Sequence, residues 1–462
     1  MPDWTYIPLR KFTSQVLGTR RSQRNALRLV SRIARVPGGR SLIRGFSFSI
    51  DHPETQVVID GTTYASSIGV ELSKFNQGTE AALQAMGFGF VCTTATRPPG
   101  TVRTHTTDLE EIAKLTSDGA QLVVANEAVI EHGPDTAQRI NESLVSRTNT
   151  EAASPLWFGF RFWHWPGWVW ALWLGIAMIC AGIGATLITL GPVVLNYDVT
   201  FLGANLQGLD AIDPKLVKFL QHDRITMAGC MMAIGCNDIG FALAMRRGWR
   251  WAKVGFALAG GCGFPTFFLF LGYQFIDPLH LAVAVGFFPL YLLALIRPSV
   301  APAWTAKLRV NETSRRRALV GQLLLVSVAF GVAVSGIVIM FVGLNNVFIP
   351  SDLAYLGNDQ RFFSSQLNGR LLRFVAHDRA GFGGALFSLG IGILTIVLWG
   401  WRDGDRSTWW STFMASLLGF GPALAIHFSV GYTDTLHLLP AYLGALLVWL
   451  ALLLSREWML TK

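Results

Sequence analysis

Residues 215–229 read KLVKFLQHDRITMAG, and residues 370–384 read RLLRFVAHDRAGFGG. The triplet His222-Asp223-Arg224 returns as His377-Asp378-Arg379, 155 residues later, with Lys215 and Lys218 matched by Arg370 and Arg373. Upstream, NYDVTFLG (196–203) is matched by PSDLAYLG (350–357), so Asp198 pairs with Asp352 and Leu202-Gly203 with Leu356-Gly357. Downstream, Asp277-Pro-Leu-His280 is matched by Asp434-Thr-Leu-His437. Polar matches in one order at a nearly constant offset are the signature of an internal duplication.

The duplicated stretch is strongly apolar. A spanning helix needs about 20 predominantly apolar residues. Eight runs are long enough: about 166–192, 225–245, 254–273, 279–296, 318–343, 380–400, 410–430 and 437–455. They predict an α-helical polytopic membrane protein with two membrane repeats, 156–310 and 311–462, each of four helices. An even number of crossings returns the chain to its starting side. The copies are therefore expected to be parallel, related by an axis along the membrane normal, with every matched polar motif at one face.

Composition agrees. Of 462 residues, 51% are apolar and 15% charged, with 16 Trp and 31 Phe, and the mean hydropathy is +0.41. This excludes a disordered chain and a wholly soluble enzyme, since soluble domains carry about 25% charged residues. The net charge of +9 is read as topology-setting rather than as a nucleic-acid footprint, so the bilayer is the expected partner and nucleic acid is not. The five Cys lack CxxC spacing, which argues against disulfides or a cysteine zinc site.

Short basic loops set the orientation. Arg246, Arg247, Arg250 and Lys253 follow the second run; Arg297, Lys307, Arg309 and Arg315–Arg317 follow the fourth; Arg402 and Arg406 follow the sixth. The loops GYQFIDPLH and GYTDTLH have no Lys or Arg. The expectation is a multi-pass protein of the inner (plasma) membrane with both termini in the cytoplasm and the HDR motifs outside. Trp163, Trp165, Trp168 and Trp170 suit an interfacial belt.

The ligand-binding candidates are His222, Asp223, Arg224, Asp277 and His280 from one repeat, and His377, Asp378, Arg379, Asp434 and His437 from the other. The plain alternative is capping: Asp at each helix start accepts from free backbone N–H groups, and Pro278 after Asp277 is a favoured first helical residue. Capping does not explain a His beside each Asp. A carboxylate next to imidazole suits a divalent metal, a proton relay or a quinone headgroup, and Arg suits an anion. Haem between facing His is a weaker option because these His lie near helix ends. Asp238 stands apart, inside an apolar run, where a carboxyl is costly and a functional candidate by default. His427, also inside a run, reads as an interior His rather than a ligand.

Residues 1–45 carry ten basic side chains and one acid, with Arg21, Arg24, Arg28, Arg32 and Arg35 at helical spacing. This predicts a basic amphipathic arm suited to an anionic membrane surface. Residues 46–155 then give strand-like VVIDG and TTYASSIGVEL, a helical QGTEAALQAM, and GFGFVCTTATRPPG as strand and turn, a small α/β region.

Through Gly69, Gly78, Gly87-Phe88-Gly89-Phe90 and Thr96–Gly100, residues 5–100 resemble the start of the membrane-associated, class 2 dihydroorotate dehydrogenases. The resemblance implies a quinone-entry arm, a hairpin and the first strands of a flavin mononucleotide-binding barrel. The flavin segment departs, reading Glu71-Leu72-Ser73-Lys74-Phe75-Asn76, and the orotate segment, placed at Val124–Gly133, lacks the family's aligned asparagines. An eight-stranded α/β barrel needs at least about 200 residues, so the region is a truncated form, expected to be covered by the arm, the bundle or a partner subunit.

The functional expectation is a membrane protein with an outward-facing His/Asp/Arg site for a small molecule, ion or quinone, and a degenerate dehydrogenase-like module, acting as an accessory or subunit rather than as an enzyme alone. The alternatives are a flavin- or quinone-linked oxidoreductase and a proton-coupled transporter using Asp238.

Overall fold

A computed structural model describes residues 2–47, 53–118, 120–148, 161–273, 275–299, 308 and 312–461. The expected boundaries near 155 and 310, with Lys307, Arg309 and the Trp163 side chain, lie outside the described residues.

The arm is helical: α1 (Asp3–Leu17), α2 (Thr19–Arg35) and α3 (Gly39–Ser47). Strands β1 (Val57–Ile59) and β2 (Thr62–Tyr64) form an antiparallel hairpin. Its turn residues Asp60 and Gly61 both have positive φ, the backbone that Asp-Gly favours in a tight hairpin. Next come β3 (Ile68–Glu71), α4 (Gln77–Ala85), β4 (Phe90–Cys92), β5 (Thr101–Arg103), α5 (Leu109–Ser117), β6 (Leu122–Val124), α6 (Asn126–His132) and α7 (Thr136–Thr148). The four later strands make a parallel sheet in the order β4-β3-β6-β5. The apolar face of α2 (Val30, Ala34) is buried in the core of this unit. Arg21, Arg24, Arg28, Arg32 and Arg35 point outward. The amphipathicity is thus partly spent on protein rather than on lipid.

The bundle consists of α8 (Gly167–Leu190), the short α9 (Asn196–Leu202) and α10 (Leu206–Ile212), α11 (Leu216–Arg246), α12 (Arg250–Gly263) and α13 (Pro278–Ile296). It continues with α14 (Glu312–Leu344), the short α15 (Pro350–Leu356) and α16 (Gln360–Ser365), α17 (Arg370–Gly400), α18 (Arg406–Val430) and α19 (Thr435–Leu460). Among the described residues, seven helices are long and apolar enough to cross a membrane: α8, α11, α13, α14, the stretch ending in α17, α18 and α19. The chain is a multi-pass membrane protein on that basis. The run at 254–273 does not form one α-helix: α12 ends at Gly263 and a 3₁₀ segment, Phe264–Tyr273, follows. Pro265 has no N–H to donate, so the α-helical hydrogen-bond ladder cannot continue through it.

Close crossings at small residues hold the long helices together. A Cβ on Gly182 of α8 would lie 2.8 Å from the carbonyl of Ala228 on α11. A Cβ on Gly336 of α14 would lie 2.7 Å from the carbonyl of Gly383 on α17. Trp168 and Trp170 are buried in the bundle core rather than forming the expected lipid-facing belt; the Arg246 guanidinium lies over the Trp168 ring.

The α/β unit sits at the end of the bundle opposite the HDR motifs. Asp3 and Arg315 form an ion pair, as do Glu131 with Arg316 and Glu142 with Arg402, and Trp399 Nε1 donates to the Gly45 carbonyl at 2.7 Å. The arm and the bundle therefore supply cover for this unit.

Candidate functional site

The HDR triplets do not open their helices. α11 starts at Leu216 and α17 at Arg370, so Asp223 and Asp378 sit in the third turn and cap nothing. Their partners are the arginines of the other triplet. Arg224 Nε donates to Asp378 Oδ2 at 2.9 Å, and Arg379 Nε donates to Asp223 Oδ2 at 3.2 Å. Each guanidinium then reaches the other member of its own copy: Arg224 Nη1 to Asp198 at 3.3 Å, Arg379 Nη1 to Asp352 at 2.6 Å. Each also donates to a valine carbonyl, Val193 or Val347. Those two valines have φ of 62° and 63°, a left-handed conformation that is strained for a β-branched residue. Arg224 stacks over Phe374 and Arg379 over Phe219, both at 5.0 Å. Asp198 and Asp352 also accept from the backbone N–H of Leu195 and Ile349. Burial lifts the pKa of Asp198, and the charge of Arg224 opposes it. Four carboxylates surround the two guanidinia, so neither arginine is left for an anion.

The other pair of carboxylates does cap. Asp277 accepts from Leu279 N and His280 N, and Asp434 accepts from His437 N. What remains is imidazole. His222 Nε2 lies 2.8 Å from His427 Nε2, and His437 Nε2 lies 3.1 Å from the same atom. His377 Nε2 lies 3.3 Å from His280 Nδ1. Both groupings are crossed: a histidine of one HDR triplet meets histidines of the other half. His427, expected to be a plain interior residue, is the centre of the larger cluster. Its sequence gives no sign of this role, because the matching stretch in the preceding half has no histidine there and forms the 3₁₀ segment Phe264–Tyr273 instead.

Asp238 is buried on α11 beside Asn237. Both line a cavity of about 100 Å³ that also touches His280 and His377. Along α17 its lining runs from His377 to Gly392, about 22 Å at the α-helical rise. The walls are Leu174, Met178, Met231, Phe256, Phe287 and Leu389. The amide nitrogen Nδ2 of Asn237 is buried with no hydrogen-bond partner.

In the α/β unit, the polar side chains at the strand ends where a barrel would bind its ligand pair with one another. Glu71, at the end of β3, pairs with Arg97 and lies 3.8 Å from Arg103. The hydrogen bond from Arg97 lowers its pKa. Asn126 clasps the Glu71 backbone through both N–H and carbonyl, and Asn76 is spent as the cap of α4. These residues do not fit a flavin mononucleotide.

No family model, curated protein or solved structure matches this chain.

Proposed function

We propose that this chain is a quinone-binding membrane subunit of the inner (plasma) membrane, built from two parallel four-helix repeats with α12 and its 3₁₀ continuation as the eighth span. Both termini are cytoplasmic and the HDR end faces outward. The carrying observation is the apolar slot between the halves, with an unpaired buried amide donor at Asn237 and a carboxyl at Asp238. A neutral ring bearing carbonyl or hydroxyl oxygens satisfies both, accepting from Asn237 and donating to Asp238 in its reduced form. The Met and Phe walls suit a prenyl chain, and ligand sites are typically apolar with a few placed polar groups. Leaving a buried amide unpaired costs about 1–3 kcal/mol, which a ligand carbonyl recovers.

The α/β unit is read as a shortened relative of class 2 dihydroorotate dehydrogenases, retained as a docking module. Hairpin, β3, α4 and β4 follow the family's order. Closing a barrel pairs its last strand with its first, so β4-β3-β6-β5 is the order left when the first two and last two strands survive. The loss is then internal rather than terminal.

The test is retention of decylubiquinone by detergent-purified protein, quantified after size exclusion. Wild type is expected to bind saturably, one per chain. Asn237→Leu should weaken binding about tenfold, the worth of one buried hydrogen bond, and Gly392→Phe should weaken it by filling the slot. Absence of saturable binding by folded wild type defeats the proposal. Asp238 also favours a second reading, proton-coupled transport. That reading requires Asp238→Asn to abolish proton-driven uptake, whereas the amide should preserve quinone binding.

A further inference from the structure

We infer that His222, His427 and His437 form a binding site for a transition-metal ion of the zinc or copper type. The three come from three helices, α11, α18 and α19. Each offers a ring nitrogen, and the three nitrogens lie within 4.8 Å of one another. Three imidazoles about 2.0–2.1 Å from one zinc ion hold their nitrogens roughly 3 Å apart, close to the 2.8 and 3.1 Å found between the Nε2 atoms.

The outward-facing ring atoms make the stronger argument. His427 Nδ1 lies 2.6 Å from the carbonyl oxygen of Ala423. A carbonyl only accepts, so Nδ1 carries the hydrogen, and in the neutral ring Nε2 presents a lone pair. His222 Nδ1 lies 3.0 Å from Asp223 Oδ1, off the angle of a full hydrogen bond. The carboxylate still favours the hydrogen on that side, and a lone pair at Nε2. Two lone pairs 2.8 Å apart repel unless a cation lies between them. His437 Nδ1 faces the Tyr432 hydroxyl at 3.5 Å, and that hydroxyl donates to Asp352. Carboxylate, backbone carbonyl and hydroxyl behind the rings are the outer partners that orient metal-binding histidines. Uncharged imidazole donors without a first-sphere carboxylate suit zinc or copper rather than magnesium or calcium.

The site is separate from the slot: it involves neither Asn237 nor Asp238. The matching crossed grouping cannot form it, having only the pair His280 and His377 among the described residues.

The experiment uses untagged full-length protein in detergent, stripped with chelator and titrated with Co²⁺, then with Zn²⁺ in competition. The expected result is one Co²⁺ per chain, a visible ligand-field band, and its bleaching by Zn²⁺. His427→Gln should abolish the band, and His222→Gln and His437→Gln should each lower affinity by more than tenfold. His280→Gln should leave the titration unchanged. Tyr432→Phe removes only an outer partner and should weaken binding by about tenfold, separating loss of a ligand from loss of fold. The inference is overturned if folded wild type gives no band, or if His427→Gln binds Co²⁺ as wild type does.

Discussion

Arg224 and Arg379 are each held between two carboxylates, one from their own half and one from the other. Baring a buried charge completely costs about 3–5 kcal/mol; losing one carboxylate of two leaves each arginine still paired and should cost less. Asp378→Asn is therefore expected to lower the unfolding midpoint, with Asp198 still holding Arg224. Asp223→Asn should do so by a similar amount, because its partner Arg379 has the same surroundings. Melting the two variants side by side checks this; unequal losses would mean that the two locks are not equivalent. The triplets and their companions Asp198 and Asp352 were legible as repeated letters. Who pairs with whom was not. Spacing along one helix reports neighbours on that helix and nothing of the helix opposite, so Asp223 and Asp378 looked like caps. The role of His427 was not legible for the opposite reason: no histidine in the matching stretch drew it into the pattern.

At the scale of elements, glycine decides how near the long helices approach. On α14, a Cβ at Gly336 would come 2.4 Å from the Phe387 nitrogen, whereas at Gly331 it would meet nothing within 4 Å. Gly331→Ala should stabilise by up to about 1 kcal/mol through helix propensity. Gly336→Ala should destabilise despite the same gain, because α17 must move away. Thermal melts of the two variants should shift in opposite directions. Helix positions themselves were largely readable from apolar runs. The exception is α12, where Gly263 and Pro265 punctuate a run that hydropathy alone counts as continuous.

At the scale of the molecule, the α/β unit is fastened to the bundle through buried charge. Asp3 and Asp135 exchange backbone N–H donors for carboxylate oxygens at 3.0 and 2.9 Å, with Arg315 on Asp3. Burial, and next the carboxylate of Asp3, push Asp135 up to about 7. The folded chain thus holds this proton more tightly than the unfolded chain. Its contribution is full below the ordinary carboxylate range and is lost as pH rises through about 7. The protection of α1 amides, taken relative to their intrinsic base-catalysed exchange, should fall across that interval in wild type and lose most of this dependence in Asp135→Asn. A flat wild-type profile would show that Asp135 does not titrate there. That the chain divides into a membrane bundle and a small α/β unit was plain from composition. The fastening was not, since it joins residues more than 130 positions apart in sequence.

The crossed arginines also bear on how such a chain could arise and be taken apart. A polypeptide carrying one half alone would keep its arginine on one carboxylate instead of two and leave its triplet carboxylate without a guanidinium, both on the same face. A second copy turned by half a revolution would supply both missing partners. The covalent link between the halves is then dispensable for recognition: fragments severed between residues 300 and 311 and made in one cell should find each other and co-purify, while either fragment made alone should be degraded or should self-associate.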